Sequence, residues 1–308
     1  MILNQLDENP NYIEEELKKA SIFINENKLS ANYVPKNLLF RDDQFKKLSN
    51  LFKSIIEDPG GASRQVIIHG PVGTGKTAVI KRFISMLQNA AYKRDINLKY
   101  VHINCRINKT TFLILKAIIK TFNNKIPERG LSSEELIVTL NDILEKSDFF
   151  LIVILDEIDS LKKSQFDVLY YLSRIMDTKL NPLHRLSLIL VAKSLKFLEN
   201  LDTGTLSTLQ NYQIYFQKYS KQELIEIIKY RIREVFYDDV VPNETILKIS
   251  ELANELGDIR IALELLWKAG KETDSLNSFK IMPDLIEKNE IDSKPFIKSE
   301  LFDKKSRK

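Results

Sequence analysis

A loop at residues 70–77, GPVGTGKT, has residue types and a spacing that suit phosphate binding. It completes the pattern G-x-x-x-x-G-K-[ST], with an apolar run before it and a helical pattern after it. Glycines let the backbone wrap closely around phosphate, and N–H groups at the helix start supply partial positive charge. Lys76 is predicted to reach the β- and γ-phosphates, and the Thr77 hydroxyl to bind Mg²⁺. The predicted nucleotide contacts in the loop are Pro71, Val72, Gly73, Thr74, Gly75, Lys76 and Thr77.

An acidic pair, Asp156 and Glu157, follows another apolar run further along the chain. Asp156 is predicted to hold Mg²⁺, and Glu157 to polarise the water that attacks the γ-phosphorus in line. Taken alone, the pair is also explained as a strand that ends in a polar loop. Combined with the phosphate loop, it favours ATP hydrolysis. Ras-like GTPases position water with Gln instead, and the arginine-rich lid that a nucleotide kinase needs is not found in the sequence.

Five apolar runs provide the frame that must position these residues. Four have the length and β-branched content of buried strands, and the fifth is more aromatic. They cover residues 65–69, 100–104, 149–155, 186–192 and 212–216. Helical patterns separate them, which indicates a parallel sheet covered on both faces. The predicted fold is α/β, a P-loop NTPase core with a five-stranded parallel sheet, followed by a small all-helical lid domain.

Apolar stripes and capping residues mark the helices. One stripe follows the phosphate loop, at Ile80, Phe83, Ile84 and Leu87. Capping-box pairs, Ser132 with Glu135 and Ser220 with Glu223, predict two helix starts. After residue 217 only helical patterns occur, including one from Asp258 to about Ala269 that lies between Gly257 and Gly270. The predicted domains are a helical extension (1–32), the nucleotide-binding domain (33–217), the lid (218–290) and a basic, flexible tail (291–308).

Composition indicates a soluble, cytoplasmic protein. The 308 residues carry a net charge of +4, so nucleic-acid contacts are expected from local patches rather than the whole surface. No secretory leader or membrane-spanning run is expected. The one cysteine, Cys105, excludes an internal disulfide and is interpreted as a packing residue, with a reactive thiol as the alternative.

Several motifs resemble one family over nearly the whole chain: the archaeal initiator ATPases related to the origin recognition complex and to cell-division-control initiators, within the AAA+ class. The similar stretches are YVPKNLLFRDDQ (33–44), IPERGLSSEEL (126–136), FQKYSKQEL (216–224), YRIREVF (230–236) and GDIRIALELLWKAG (257–270). The resemblance implies that Tyr33, Val34 and Pro35 pack against adenine, with Arg41 nearby. It also implies lid contacts from Tyr219 and Arg231, and a second sensor, Arg260, that reaches the γ-phosphate. The alternative for Arg260 is a surface ion pair with Asp258 or Glu264.

Two departures from the family pattern affect hydrolysis. Where relatives carry a polar sensor, usually Asn, this chain has Lys193 between Ala192 and Ser194. Lys193 could stabilise phosphate charge but cannot position water as an amide does. Where relatives carry an arginine that acts in a neighbour's site, this chain has Gly204. Since arginine fingers contribute about 10³ to 10⁵ in rate, we expect slow turnover, as in a switch rather than a motor.

Family members bind origin DNA through a helical insertion and a C-terminal winged helix. The insertion is predicted here, with basic residues Lys109, Lys116, Lys120, Lys125 and Arg129. The alternative is an amphipathic helix whose lysines only face water. A winged helix is not expected in the residues after Gly270. The expected partners are duplex DNA and other initiator or helicase-loading proteins, with nucleoid association and an undetermined oligomeric state. An initiator paralogue that acts only through protein contacts stays open, whereas a signalling ATPase would ordinarily append a further domain.

Overall fold

The computed structural model describes residues 11–122, 130–175, 183–209 and 212–289. They form two compact units: a core unit, residues 34–218, and a lid unit, in which residues before 34 join those from 219 onward. In chain order the elements are α1 (Tyr12–Leu17), α2 (Asp42–Glu57), β1 (Gln65–His69), α3 (Lys76–Tyr92), β2 (Leu98–Asn104), α4 (Thr111–Lys120), α5 (Ser133–Lys146), β3 (Phe150–Asp156), α6 (Asp167–Arg174), β4 (Leu186–Ala192), α7 (Thr203–Leu209), β5 (Gln213–Tyr215), α8 (Lys221–Val235), α9 (Asn243–Leu256) and α10 (Ile259–Ser275). Residues 283–289 are also helical.

The core unit is built on a five-stranded sheet in the order β2-β3-β4-β1-β5, with every neighbouring pair parallel. This confirms the predicted α/β fold. β1 and β4 have the predicted bounds, but β2 begins earlier, at Leu98. The predicted run began at Tyr100 because the exposed, charged Lys99 separates it from Leu98, which packs in the interior.

Helices cover both faces of the sheet. Val66 and Ile68 pack with α2 and α3, whereas Ile67 between them packs in the cluster that contains α4, α5, α6 and α7. This alternation explains why the strands appear as continuous apolar runs. The predicted stripe on α3 is buried, and the capping box at Ser132 is formed. The carboxyl ends of β1, β2, β3 and β4 therefore lie along one edge of a rigid sheet, where polar side chains can be positioned.

The lid unit packs α8, α9 and α10 with the segment that precedes residue 34. Ile22 and Leu29 of that segment are buried among the helices, and Ile24 N donates to Val235 O over 2.7 Å. The capping box at Ser220 begins α8 as predicted. Residues 1–32 were predicted to form a helical extension, and the described part of them contributes buried residues to this core. The predicted tail, 291–308, lies outside the described residues.

Gly270 does not end α10, which corrects one expectation. The helix continues through it to Ser275. A Cβ atom at position 270 would lie 2.4 Å from Cζ of Phe23, whose ring packs 4.8 Å from that of Phe236. The glycine therefore makes room for an aromatic ring rather than terminating the helix. Within the described ranges, no helix is both long and apolar enough to cross a membrane.

Candidate functional site

The loop between β1 and α3 requires glycine at two positions. Gly70 has φ 146°, and a Cβ atom there would lie 2.2 Å from the carbonyl oxygen of Phe216. Gly75, directly before α3, has φ 83° and ψ 13° in the left-handed region. Thr74 is buried, and its Oγ1 donates to Pro71 O over 2.9 Å. The loop thus has one compact conformation at the N-terminus of α3, as phosphate binding requires.

Lys76 lies against this loop. Its Nζ donates to Gly70 O over 2.5 Å and to Pro71 O over 2.6 Å. At the end of β1, burial lowers the pKa of His69, and the charge of Lys76 lowers it further. The lowered pKa favours neutral His69 beside the charged Lys76.

A buried arginine connects the loop to neighbouring segments. Arg41 is 1% exposed, and its Nε donates to Thr74 O over 3.0 Å. Its terminal nitrogens donate to Phe40 O over 2.8 Å and to Gln217 O over 3.0 Å. The guanidinium also lies 5.6 Å from the centre of the Phe216 ring. The family resemblance implied that Arg41 lines the adenine end of the site; these contacts show that it holds the backbone around the phosphate loop.

The two predicted Mg²⁺ ligands meet at the carboxyl end of β3. Asp156 is 7% exposed, and its Oδ2 accepts a hydrogen bond of 2.9 Å from Thr77 Oγ1. The same oxygen lies 3.2 Å from His102 Nε2. Burial alone raises the pKa of Asp156, but hydrogen bonds from His102 and Thr77 outweigh it and hold the pKa below its ordinary value. The carboxylate is therefore charged at neutral pH.

This donor set fits Mg²⁺. A hydroxyl and a charged carboxylate oxygen are hard ligands, and Mg²⁺ usually takes one or two protein oxygens together with water and substrate phosphates. Among the residues that the structure describes, no cluster of three or more His, Cys, Asp or Glu side chains could hold a metal by itself. A metal here would therefore share its coordination with the nucleotide.

Glu157 has an unusual backbone. Its φ of 55° and ψ of 41° lie in the left-handed region, which costs a non-glycine residue about 1 kcal/mol or more. The conformation is held from two sides. Glu157 N donates to Asp156 Oδ1 over 2.9 Å, and Asn104 Nδ2 at the end of β2 donates to Glu157 Oε2 over 3.2 Å. Because of this sharp turn, the Glu157 side chain leaves the backbone in a different direction from a side chain in a continuing strand.

Asp159 and Lys193 connect the acidic loop to the end of β4. Lys193 N donates to Asp159 Oδ2 over 3.3 Å, while Oδ1 of Asp159 is buried without a hydrogen-bond partner among the described residues. Burial raises the pKa of Asp159, and the charge of Lys193 offsets part of that effect. The backbone of Lys193, the residue at the predicted sensor position, is thus fixed relative to the acidic pair. The residue itself is exposed.

Comparisons with known proteins agree with this geometry. A family model described as an AAA domain matches residues 62–201, and one described as a Cdc6 AAA+ ATPase-type lid domain matches residues 225–290. The ORC1-type DNA replication protein 2 of Sulfurisphaera tokodaii is 36% identical over 287 residues, which are 91% of this chain and 68% of that protein. The chain belongs to the ORC1-type DNA replication protein family.

Solved structures support the ORC1-type assignment. The Aeropyrum pernix ORC1 protein in complex with DNA aligns with a TM-score of 0.80 and 27% identity, over 89% of this chain and 70% of that one. The Aeropyrum pernix ORC2 protein, in ADPNP and ADP complexes, aligns with a TM-score of 0.76 and 23% identity, over 87% and 71%. The second likeness concerns the fold alone.

The lid residues of this ORC1-type chain have partners within their own unit. Arg231 is buried, donates to Lys28 O over 3.0 Å and lies 4.8 Å from the centre of the Tyr33 ring. Burial lowers its pKa, which the charge of nearby Glu234 partly offsets. Two predicted nucleotide contacts, Arg231 and Tyr33, are therefore brought together. Their roles toward adenine stay predictions, as do those of Tyr219, which packs on the lid core, and of Val34 and Pro35 in the core unit.

Arg260 adopts the ion pair that the sequence left open as its alternative. Its Nε donates to Asp258 Oδ1 over 3.0 Å, and the guanidinium pairs with both carboxylate oxygens. Asp258 also caps α10 by accepting from Arg260 N. The role of Arg260 as a sensor stays a prediction.

The first turn of α7 accepts an arginine contact that spacing along the sequence did not reveal. Arg174 at the end of α6 donates to Gly204 O over 3.3 Å and lies over the Tyr170 ring at 5.1 Å. Gly204 is the position at which the family resemblance implies an arginine. Asn104, His102 and Arg174 were not predicted as site residues. Asn104 and His102 could have been predicted from their position near the end of β2, beside the acidic strand. No such signal was available for Arg174.

The basic residues of the predicted insertion lie only partly within the described chain. Lys109 and Lys120 are exposed and Lys116 is half-buried, while the buried residues of α4 occupy the opposite face. Lys116 Nζ lies 5.5 Å from the centre of the Phe112 ring. Lys125 and Arg129 lie outside the described residues. Lys116 and Lys120 lie one helical turn apart on α4 and Lys109 precedes it, while the DNA-binding role of these residues stays a prediction.

Proposed function

We propose that this ORC1-type chain binds ATP with Mg²⁺, hydrolyses it slowly to ADP and phosphate, and binds duplex DNA through α4. The observation that carries the ATP part is the 2.9 Å contact between Thr77 Oγ1 and Asp156 Oδ2, because it joins the phosphate loop to the acidic pair. Membership of an AAA+ ATPase family supports the general activity.

The chain's own residues suggest how hydrolysis proceeds. The loop N–H groups and Lys76 bind the β- and γ-phosphates, while Thr77 and Asp156 hold Mg²⁺, which would neutralise charge on the phosphates when bound. Glu157 accepts a proton from the attacking water, and Asn104 fixes one of its carboxylate oxygens. Lys193 would stabilise phosphate charge, but it offers no acceptor that could orient the water.

Two features support slow turnover. Lys193 replaces the amide sensor that the family resemblance implies, and Gly204 replaces an arginine. An ATP-bound state that persists for minutes would act as a switch, since its terminal phosphate favours one conformation over another.

Substitutions in the phosphate loop and acidic pair test the ATP proposal. Lys76→Ala should abolish ATP binding, because the phosphates lose their main cation. Glu157→Gln should keep binding but reduce hydrolysis by at least about 10²-fold, since the amide cannot accept the proton. Equilibrium binding of a fluorescent ATP analogue and single-turnover hydrolysis separate the two effects, with Lys81→Ala on α3 as a surface control. Hydrolysis by Glu157→Gln at the parent rate would refute the role of Glu157.

The α4 face supports DNA binding through phosphate contacts. A solved relative at 27% identity is described in complex with DNA, and this chain presents Lys109, Lys116 and Lys120 on the corresponding predicted insertion. Such contacts set affinity and its salt dependence more than sequence preference. Duplex binding would place the protein at the nucleoid.

Exposed apolar side chains favour a second candidate function, contact with other initiator or helicase-loading proteins. Ile107 and Leu113 are exposed near these lysines. The triple variant Lys109→Gln, Lys116→Gln, Lys120→Gln discriminates between the two. Loss of duplex affinity, with a log–log salt slope reduced by about 3, would support DNA binding. No duplex binding by the parent at moderate salt would support the protein-contact function.

A further inference from the structure

A cavity of about 350 Å³ opens between α2 and the edge strand β5 of the core unit. Lys47, Leu51 and Ser54 of α2 share one helix face toward it, and Ile214 of β5 lines the other side. Leu51 and Ile214 are buried, so the floor is apolar. The volume is at the lower end of the ~300–1,000 Å³ range of small-ligand sites, and it exceeds what a lone phosphate ion requires.

The charges around this cavity have one sign. Three of its lining residues are cations, Lys47, Lys53 and Arg64, and none of the described residues that line it is acidic. Arg64 is held in place because its Nε donates to Ser54 Oγ over 2.7 Å. Lys53 also forms a 3.9 Å ion pair with Glu57, which does not line the cavity. This exposed i, i+4 pair contributes little free energy, so Lys53 can still bind another anion.

The spacing of the cations suits a polyanion better than a single anion. Lys47 and Lys53 are six residues apart on α2, which separates their backbone positions by about 9 Å along the helix axis. One phosphate group cannot contact both closely, whereas successive phosphates of a chain can. Cations distributed along a groove are typical of surfaces that follow a nucleic-acid backbone.

An aromatic side chain at the cavity distinguishes between classes of polyanion. Tyr212 lines it and is 51% exposed, so its ring is accessible for stacking. Bases of a single strand stack on such rings, whereas duplex bases are already stacked with each other. An acidic peptide that pairs with the sheet edge is less suited, because β5 has only three residues, Gln213–Tyr215.

We infer that the cleft between α2 and β5 is a binding site for single-stranded nucleic acid. Lys47, Lys53 and Arg64 contact successive phosphates, and a base stacks on Tyr212. The site is distinct from the α4 face, because Ile214 packs in the cluster of α2 and α3, whereas α4 packs in the cluster on the other face of the sheet. It does not depend on ATP hydrolysis or on duplex binding.

Fluorescence anisotropy with a labelled eight-nucleotide oligothymidylate and the full 308-residue chain, without ATP, tests the inference. Thymidylate avoids base pairing. For three phosphate contacts, affinity should fall about 20-fold between about 50 and 200 mM salt. Lys47→Gln should weaken binding, whereas Lys46→Gln, which makes the same charge change at the adjacent exposed position, should not. Arg64→Lys should retain more affinity than Arg64→Gln.

Tyr212→Ala should weaken oligothymidylate binding about 5- to 150-fold, and Tyr212→Phe should restore it. Equal losses in Lys47→Gln and Lys46→Gln would overturn the inference, because binding would then follow net charge alone. Equal competition by a duplex of the same length, or by an oligoglutamate of the same charge, would also overturn it. Thermal unfolding of each variant checks that the fold is kept. Lys47, Arg64 and Tyr212 line the cleft, and Lys46 is exposed beside it.

Discussion

Replacing Arg41 with alanine should both destabilise the core unit and weaken ATP binding. The side chain is almost fully buried and donates to the backbone carbonyls of Thr74, Phe40 and Gln217. Without it, three carbonyl oxygens in or near the phosphate loop lose a charged donor. The loop would keep its glycines but lose the contact that fixes Thr74.

The size of the effect follows from these contacts. A hydrogen bond with a charged partner contributes about 1.5–3 kcal/mol, but water entering the vacated space would satisfy part of the exposed carbonyls. We therefore expect a net loss of about 3 kcal/mol, which corresponds to about 6–12 °C in Tm for a unit of this size. Ordering the backbone of one residue costs about 1–2 kcal/mol, so a loosened Thr74 should raise the Kd for ATP about tenfold.

The single cysteine provides a local assay. Cys105 is buried in the core unit, so the denaturant dependence of its labelling by a disulfide reagent reports on opening of that unit. Arg41→Lys keeps the charge with fewer donors and should lose about half as much stability, while Lys46→Ala serves as a surface control. If Arg41→Ala matched the parent in both labelling midpoint and ATP affinity, the positioning role of Arg41 would be wrong.

Three further predictions concern other contacts. Asn104→Ala should lower kcat about tenfold with KM unchanged in steady-state ATP hydrolysis, because Glu157 loses the donor that fixes its carboxylate; an unchanged kcat would contradict this. Gly270→Ala should destabilise the lid unit by about 1–3 kcal/mol in urea unfolding, yet stabilise it in a Phe23→Ala background, and the same sign in both backgrounds would refute the packing explanation. Burial raises the pKa of Cys105 to about 12, so native protein should resist alkylation at pH 8, whereas urea-unfolded protein should react within minutes.

The sheet could be predicted because its strands are buried on both faces. Such strands must be apolar at every position, and that requirement leaves continuous runs such as FLIVIL in β3. The phosphate loop and the acidic pair could also be predicted, since their chemistry depends on neighbouring residues with fixed spacing. The edge strand β2 was predicted less accurately, because the exposed and charged Lys99 separates Leu98 from the apolar run that begins at Tyr100.

Contacts between residues distant in sequence could not be predicted. Arg41 and Gln217 lie far apart along the chain, and nothing local to Arg41 indicates that it is buried. Gly270 resembles a helix terminator when only its sequence neighbours are considered. Its actual role depends on Phe23, from which the whole core unit separates it in sequence. Asn104 reaches Glu157 only because β2 and β3 are adjacent in register.

The left-handed backbone at Glu157 places two selection pressures in opposition. Glycine at this position would relieve the unfavourable φ of 55° and make the fold more robust, but it would remove the carboxylate. A library screened for heat resistance alone should therefore drift toward glycine or asparagine at residue 157, and its survivors should be inactive. The glutamate at position 157 of this chain would then reflect the need to turn over nucleotide, at the expense of stability.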